Sequence, residues 1–208
     1  DYDFNISSQT GSCEGFCFLD SGNKIFVVDS SNIYQYNLAS SYRVSGSTSY
    51  ASKTKSGLAD VTGVLVSEDG TQVYCCADDG DIYHYTMSTA NDLSTASNAA
   101  TGEQFHLPSY TSAAWKDMQY QKSGTELFLV DGSSYLYKYT LSTAYRIETA
   151  SFVSRTSYTM GGTTEGFALE KDGSRFYAVG NHARLYGYSI GSGVNVPSGY
   201  HAAHTSAS

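Results

Sequence analysis

One phrase, written four times, constrains this chain more than any other feature. It reads DIYHYTMSTANDLSTAS from Asp81 and YLYKYTLSTAYRIETAS from Tyr135. It returns altered as NIYQYNLASSYRVSGS from Asn32 and RLYGYSIGSGVNVPSG from Arg184. Each copy follows an Asp/Ser-Gly pair ending at Gly22, Gly70, Gly124 or Gly173, at intervals of 48, 54 and 49 residues. A period of this length marks supersecondary units that cannot bury their apolar faces alone and must stack on one another.

The units agree position by position. After each glycine comes an apolar run, KIFVVD, QVYCCAD, ELFLVD or RFYAVG. A polar turn follows, then a Tyr pair: Tyr34/Tyr36, Tyr83/Tyr85, Tyr137/Tyr139 and Tyr186/Tyr188. Aliphatic residues follow at Leu38, Met87, Leu141 and Ile190, and again at Val44, Leu93, Ile147 and Val196. Before each glycine stands another short strand, GFCFL, GVLVS, DMQYQ or GFALE. Alternation with period two places Phe16/Phe18, Val64/Val66, Met118/Tyr120 and Phe167/Leu169 on one face. A weaker outer strand follows the polar run, near 47–55, 97–106 and 150–159. No helical period competes.

Four antiparallel strands per unit, four units in series, predict an all-β chain folded as a four-bladed β-propeller. The prediction is a single domain over 1–208, with blades at about 9–55, 56–106, 107–159 and 160–208. Both rings of each Tyr pair are expected on one face between blades, hydroxyls reaching a polar rim. The residues between them, Gln35, His84, Lys138 and Gly187, face the other way and are read as free to vary. Outer strands are oversupplied. Segment 1–8 is expected to close the last blade or to pair with a neighbour, which leaves the tail from Tyr200 spare. Polar termini order only when something holds them, so self-association through the termini, by strand addition, is the expected partner mode.

The balance of charge narrows the partners. Twelve Lys and Arg against twenty Asp and Glu give a net charge of −8. Nucleic acid needs clustered cations, so it is excluded as a partner. No run of 18 apolar residues exists, so no membrane insertion by a helix is expected. The start lacks a basic-then-apolar leader, and any leader is expected to have been removed. Four cysteines in a Ser/Thr-rich, Lys-poor chain point to an oxidising, extracellular setting.

The repeated phrase, DG-x-x-x-[FY]-x-V-D followed by IY-x-Y-x-L-ST-A, resembles the Tyr-rich β-propeller repeats of secreted, surface and virion-associated microbial proteins. These belong with the broad YVTN/NHL-like propellers. The resemblance covers nearly the whole chain and implies a propeller fold and an external setting, not a particular activity. Ala90 and Ala144 depart from it, standing where the family phrase often carries Pro.

Chemistry is sparsely signalled. No G-x-S-x-G, H-E-x-x-H, P-loop or G-x-G-x-x-G is present. No catalytic residue, cofactor or metal ligand is therefore assigned. Asp78–Asp81 lacks the spacing of a calcium loop and reads as a hairpin turn. His201 and His204, with His182, read as solvent-facing or interfacial residues. Glu14, Glu165, Lys116 and Asp117 enter first strands and are expected near the axis, bonded to backbone or converging on a cation. Trp115 and Tyr110 form either a rim platform for sugar or a buried plug between blades. Cys13, Cys17, Cys75 and Cys76 are disulfide candidates, paired as Cys17–Cys76 and Cys13–Cys75, with free buried thiols as the alternative. Asn5 opens the one N-glycosylation sequon, and the run Ser88–Gly102 is a candidate for O-linked glycans.

The sequence thus predicts a non-enzymatic, extracellular structural propeller, a repeating subunit of a surface appendage or filament that carries glycans. The alternative is a carbohydrate-binding or adhesion module using rim aromatics. An enzyme working at the central channel is the third class.

Overall fold

The computed structural model describes residues 5–7, 10–44, 49–54, 60–97, 104–110, 113–181 and 184–190. They fold into four antiparallel sheets that follow one another in chain order. Sheet 1 holds β1 (Gly15–Leu19), β2 (Lys24–Val28), β3 (Asn32–Asn37) and β4 (Ser49–Thr54). Sheet 2 holds β5 (Val61–Val66), β6 (Gln72–Ala77), β7 (Asp81–Thr86) and β8 (Gln104–His106). Sheet 3 holds β9 (Trp115–Gln121), β10 (Glu126–Asp131), β11 (Tyr135–Leu141) and β12 (Ala150–Ser157). Sheet 4 holds β13 (Thr164–Leu169), β14 (Arg175–Gly180) and β15 (Arg184–Ser189). Every sheet is a meander, each strand paired to the next in sequence. First strands meet at the inner edge, β1 against β5, β5 against β9 and β9 against β13.

The repeated glycines explain the tight first turns. Gly22, Gly70, Gly124 and Gly173 all adopt positive φ, between +69° and +82°, a region costly for residues with a Cβ. At Gly70 a Cβ would also lie 2.4 Å from Asn91 Oδ1. The preceding Asp69 fastens the turn, its Oδ1 accepting from the Thr71 N–H at 2.9 Å. Asp81 at the far end receives its own tie: its N–H donates to Asp79 Oδ1 at 3.0 Å. Asp78–Asp81 is thus the hairpin turn that its residues indicated.

Each sheet has two unlike faces. The front carries the Tyr pair and packs on the preceding sheet; the back packs on the following one. Between sheets 1 and 2, Phe26, Val28 and Ile33 from the back of sheet 1 meet Val64, Val73, Tyr83 and Tyr85. Between sheets 2 and 3, Tyr74, Cys76 and Ile82 meet Met118, Leu127, Tyr137 and Tyr139. Between sheets 3 and 4, Phe128, Val130 and Leu136 meet Phe176, Tyr186 and Tyr188. Burying each such aliphatic or aromatic side chain contributes roughly 1.5–3 kcal/mol, so stacking is what holds the sheets together.

The Tyr pairs are buried as expected, and several of their hydroxyls find specific partners. Tyr34 donates to Asp29 at 2.9 Å and Tyr137 to Asp131 at 2.7 Å, the same contact in two sheets. Tyr188 donates to the Thr159 carbonyl. The residue between the tyrosines is not free to vary, contrary to expectation. Gln35 is buried and grips the turn of the next sheet: its Oε1 accepts from the Leu93 N–H at 2.6 Å, and its Nε2 donates to the Asn91 carbonyl at 3.1 Å. The turn it holds is the single-turn 3-10 segment Leu93–Thr95.

The N-terminal segment differs from the prediction. Residues 5–7 form no strand; instead Ile6 packs with Val44 against Ile25, Val27 and the Tyr pair on the front of sheet 1. Segment 1–4 and the tail from 191 lie outside the described residues.

Candidate functional site

A cavity of about 780 Å³ is bordered by the first strands of all four sheets, with Tyr177, Val179 and Leu185 of β14 and β15 lining it as well. Close approach builds it. Gly15 and Gly63 sit at equivalent points of β1 and β5, where a Cβ on Gly15 would fall 2.8 Å from the Thr62 carbonyl oxygen. A Cβ on Gly63 would lie 2.9 Å from Cys76 Sγ and 3.2 Å from Asp117 Cα. Gly166 fills the same place in β13. In β9 alone the position is Asp117.

The Asp117 carboxylate occupies the space that glycine leaves at the hub. Its Oδ1 accepts from the Met118 N–H at 2.8 Å and its Oδ2 from the Phe167 N–H at 3.1 Å. Two residues on, Gln119 Oε1 accepts from the Leu169 N–H at 2.9 Å. Two further, Gln121 Nε2 donates to the Glu170 carbonyl at 3.2 Å. Alternate side chains of β9 therefore hydrogen-bond the backbone of β13 and of Glu170 just beyond it, joining sheets 3 and 4 with positions that sheet 1 gives to Gly15, Cys17 and Leu19. Burial pushes the Asp117 carboxyl up to about 6, although the two N–H donors favour its charged form. The repeat signalled this: Asp117, Gln119 and Gln121 break a pattern of small and apolar residues.

A smaller cavity of about 220 Å³ adjoins the hub, bordered by Glu14, Asp60, Asp78, Glu165 and Lys116. Glu14, Glu165 and Lys116 thus converge, as their place before first strands indicated. Lys116 Nζ lies 2.8 Å from both Asp78 carboxylate oxygens. Among the described residues, no group of three or more His, Cys, Asp or Glu is placed to hold a metal ion. His182, His201 and His204 lie outside the described residues.

Trp115 is no rim platform. Its side chain is fully buried between sheets 2 and 3, with Nε1 donating to the Gly80 carbonyl at 3.1 Å and the ring edge-on to Tyr137 at 4.9 Å. The repeat explains why: Trp115 stands where the other sheets place the buried Val61 and Thr164. Tyr110 is half-buried, packed between Tyr137, Phe152 and the Arg155 guanidinium. Neither offers a free sugar-stacking face.

The expected disulfides are not formed; all four cysteines are free thiols. Cys13 is exposed, whereas Cys75 is buried between sheets 1 and 2. Cys76 points to the opposite face, into the cluster between sheets 2 and 3. Burial, with the Asp117 charge adding to it, pushes the Cys17 and Cys76 thiols up to about 12. Asn5 is exposed, and its Oδ1 accepts from the Ser7 N–H.

No family model matches the sequence, and no curated protein matches it. Solved structures do resemble its fold. A functionally unknown protein from Desulfotomaculum acetoxidans superposes with a TM-score of 0.57 at 11% identity, over 90% of this chain and 55% of that one. A Bacteroides fragilis protein with the provisional name 6-phosphogluconolactonase gives 0.58 at 10%, over 86% and 54%. Its counterpart from Bacteroides uniformis, with the same provisional name, gives 0.58 at 12%, over 92% and 55%. This chain thus spans about half the length of those structures, and identity this low speaks for the fold alone.

Proposed function

We propose that the four sheets are blades of a Tyr-rich β-propeller and that the chain is a non-enzymatic, extracellular structural module, the repeating subunit of a larger assembly. One observation carries this: the polar groups at the hub are engaged in holding blades together. Asp117, Gln119 and Gln121 bond the neighbouring backbone, and Lys116 is paired with Asp78. The external setting is supported by the Lys-poor, Ser/Thr-rich composition and by the exposure of the Asn5 sequon. Burial of Trp115 removes the main support for the carbohydrate-binding alternative.

The names of the two Bacteroides neighbours favour a second reading, sugar-phosphate lactone hydrolysis. Electrostatics weigh against it. Glu14, Asp60, Asp78 and Glu165 border the hub mouth and repel an anionic substrate, and its lysine is already paired. Two measurements decide. Electron microscopy and sedimentation of the purified chain are expected to find assemblies larger than one 22.4 kDa chain. Hydrolysis of 6-phosphogluconolactone is expected to stay at the spontaneous rate. Catalysis abolished by Asp117→Asn would replace the structural reading with the enzymatic one.

A further inference from the structure

The hub cavity and its smaller neighbour share three bordering residues, Glu14, Thr62 and Glu165. Their walls carry essentially one sign of charge. Glu14, Asp60, Asp78, Asp117 and Glu165 border the two, against a lysine, Lys116, that is already paired with Asp78 at 2.8 Å. Among its described lining residues, the larger cavity has no Lys, Arg or His. Asp117 already holds N–H donors at both oxygens, whereas Glu14 and Glu165 are exposed. Carboxylates gathered round a recess with apolar walls focus a negative potential inside it.

The rest of the larger cavity is apolar and aromatic. Phe16 and Phe18 of β1 stand edge to face, with ring centroids 5.9 Å apart. Phe167 of β13 and Tyr177 of β14 line it as well. The Tyr177 ring is held in place: its hydroxyl donates to Glu170 Oε1 at 2.9 Å, and Gly187 leaves it room, since a Cβ there would lie 3.3 Å from Tyr177 Cε1. A volume of about 780 Å³ falls within the range of small-molecule sites, roughly 300–1,000 Å³.

These two properties together select the occupant. An anion is repelled. A hydrated inorganic cation gains nothing from aromatic and aliphatic walls, and among the described residues no three His, Cys, Asp or Glu are placed to hold a metal ion. A neutral apolar molecule would strip water from carboxylates and give them no partner in return, which is costly. A cation with an apolar body satisfies both parts, because ring faces attract an ammonium head within about 6 Å and the carboxylates neutralise it.

We infer that the hub cavity binds an organic cation, a substituted ammonium with an aryl or branched alkyl body. Its head lies at Glu14 and Glu165, which border both cavities, and its body against Phe16, Phe167 and Tyr177. The site goes beyond the structural reading of the chain and does not depend on assembly. The occupant touches β1, β13 and β14 at once, so it ties the first sheet to the last and stabilises the fold by its binding free energy.

Benzyltrimethylammonium is the probe, titrated into the purified chain and followed by NMR shift changes, with benzyl alcohol and p-toluenesulfonate as its neutral and anionic counterparts. The probe is expected to bind with a Kd of roughly 0.1–1 mM, benzyl alcohol at least about tenfold more weakly, and p-toluenesulfonate not at all. Affinity for the probe should fall as sodium chloride rises from about 50 to about 500 mM. The double variant Glu14→Gln/Glu165→Gln, at exposed positions, should weaken the probe about tenfold and leave circular dichroism and sedimentation unchanged. Phe16→Leu, which keeps an apolar side chain but removes the ring, should weaken it about threefold. Equal affinity for all three compounds would overturn the inference, as would a probe affinity untouched by both variants or no shift change up to about 10 mM probe. Each of those results leaves the assembling-subunit reading standing, whereas a chain that sediments as a monomer removes that reading and not this one.

Discussion

Replacing Asp117 by Asn removes a buried titrating carboxylate at the hub, and its effect follows from where that carboxylate sits. Burial raises its pKa from the ordinary 3.8 to about 6. The folded chain therefore holds this proton more tightly than the unfolded chain. The stability it contributes is complete below the ordinary carboxyl value and is lost as pH rises through about 6. Two pK units correspond to roughly 3 kcal/mol, and screening by the protein's own polar groups reduces this to about 2 kcal/mol. Asparagine keeps one carbonyl oxygen for the Met118 or Phe167 N–H and leaves the other donor unpaired, at a constant cost of about 1–2 kcal/mol. The readout is thus a slope. Urea unfolding of both proteins between about pH 4 and pH 7 should find D117N the less stable at the acid end. The gap should close or reverse by about 2 kcal/mol towards neutrality. Other titrating groups cancel in the difference. A gap that stays constant across the range would refute a desolvated Asp117.

Three further outcomes are expected. Gln35→Ala leaves the buried Leu93 N–H without its acceptor and should cost about 1–3 kcal/mol in urea unfolding, whereas a residue free to vary would cost almost nothing. Gly63→Ala places a methyl 2.9 Å from Cys76 Sγ and should lower thermal stability by about 1–3 kcal/mol; an unchanged melting curve would contradict the tight hub. Maleimide labelling of the folded chain should modify Cys13 first, leaving Cys17, Cys75 and Cys76 until unfolding, because reactivity needs an accessible thiolate.

The four-sheet plan was legible because its signals are short-range. Alternating apolar residues fix which side chains share a face, and an Asp/Ser-Gly turn fixes where each strand reverses. Outer strands at β4 and β12 were placed to within a few residues for the same reason, though β8 is only three residues long. What escaped lies between sheets, where no local period reports. Gln35 looks like any polar residue on an outward face until the turn of the next sheet arrives above it. Gln119 and Gln121 read as polar interruptions of a strand, yet they bond the backbone at Leu169 and Glu170, some 50 residues away, whereas Asp117 was legible as an axial residue with backbone partners, which it finds in Met118 and Phe167. Chemistry alone left Trp115 open between a rim platform and a buried plug; aligned with Val61 and Thr164, it falls on a buried position and is the plug. The disulfide expectation placed Cys17 and Cys76 on facing strands of neighbouring blades, yet both are free thiols. Cys75 and Cys76, adjacent in sequence, necessarily face opposite sides of β6.

Among the described residues, the main packing contacts run from each sheet to the next in chain order, and that linear order governs how the molecule opens. A linear array loses structure from its ends inward, because a terminal unit surrenders one interface and an internal unit two. Amide hydrogen exchange should therefore be fastest in β13 to β15, where one face has no cover, and slowest in β6 and β10, enclosed on both sides. Closing the two ends on each other would abolish that gradient. Protection along the chain would then become nearly level, and fraying, the habit of a line, would disappear from a circle.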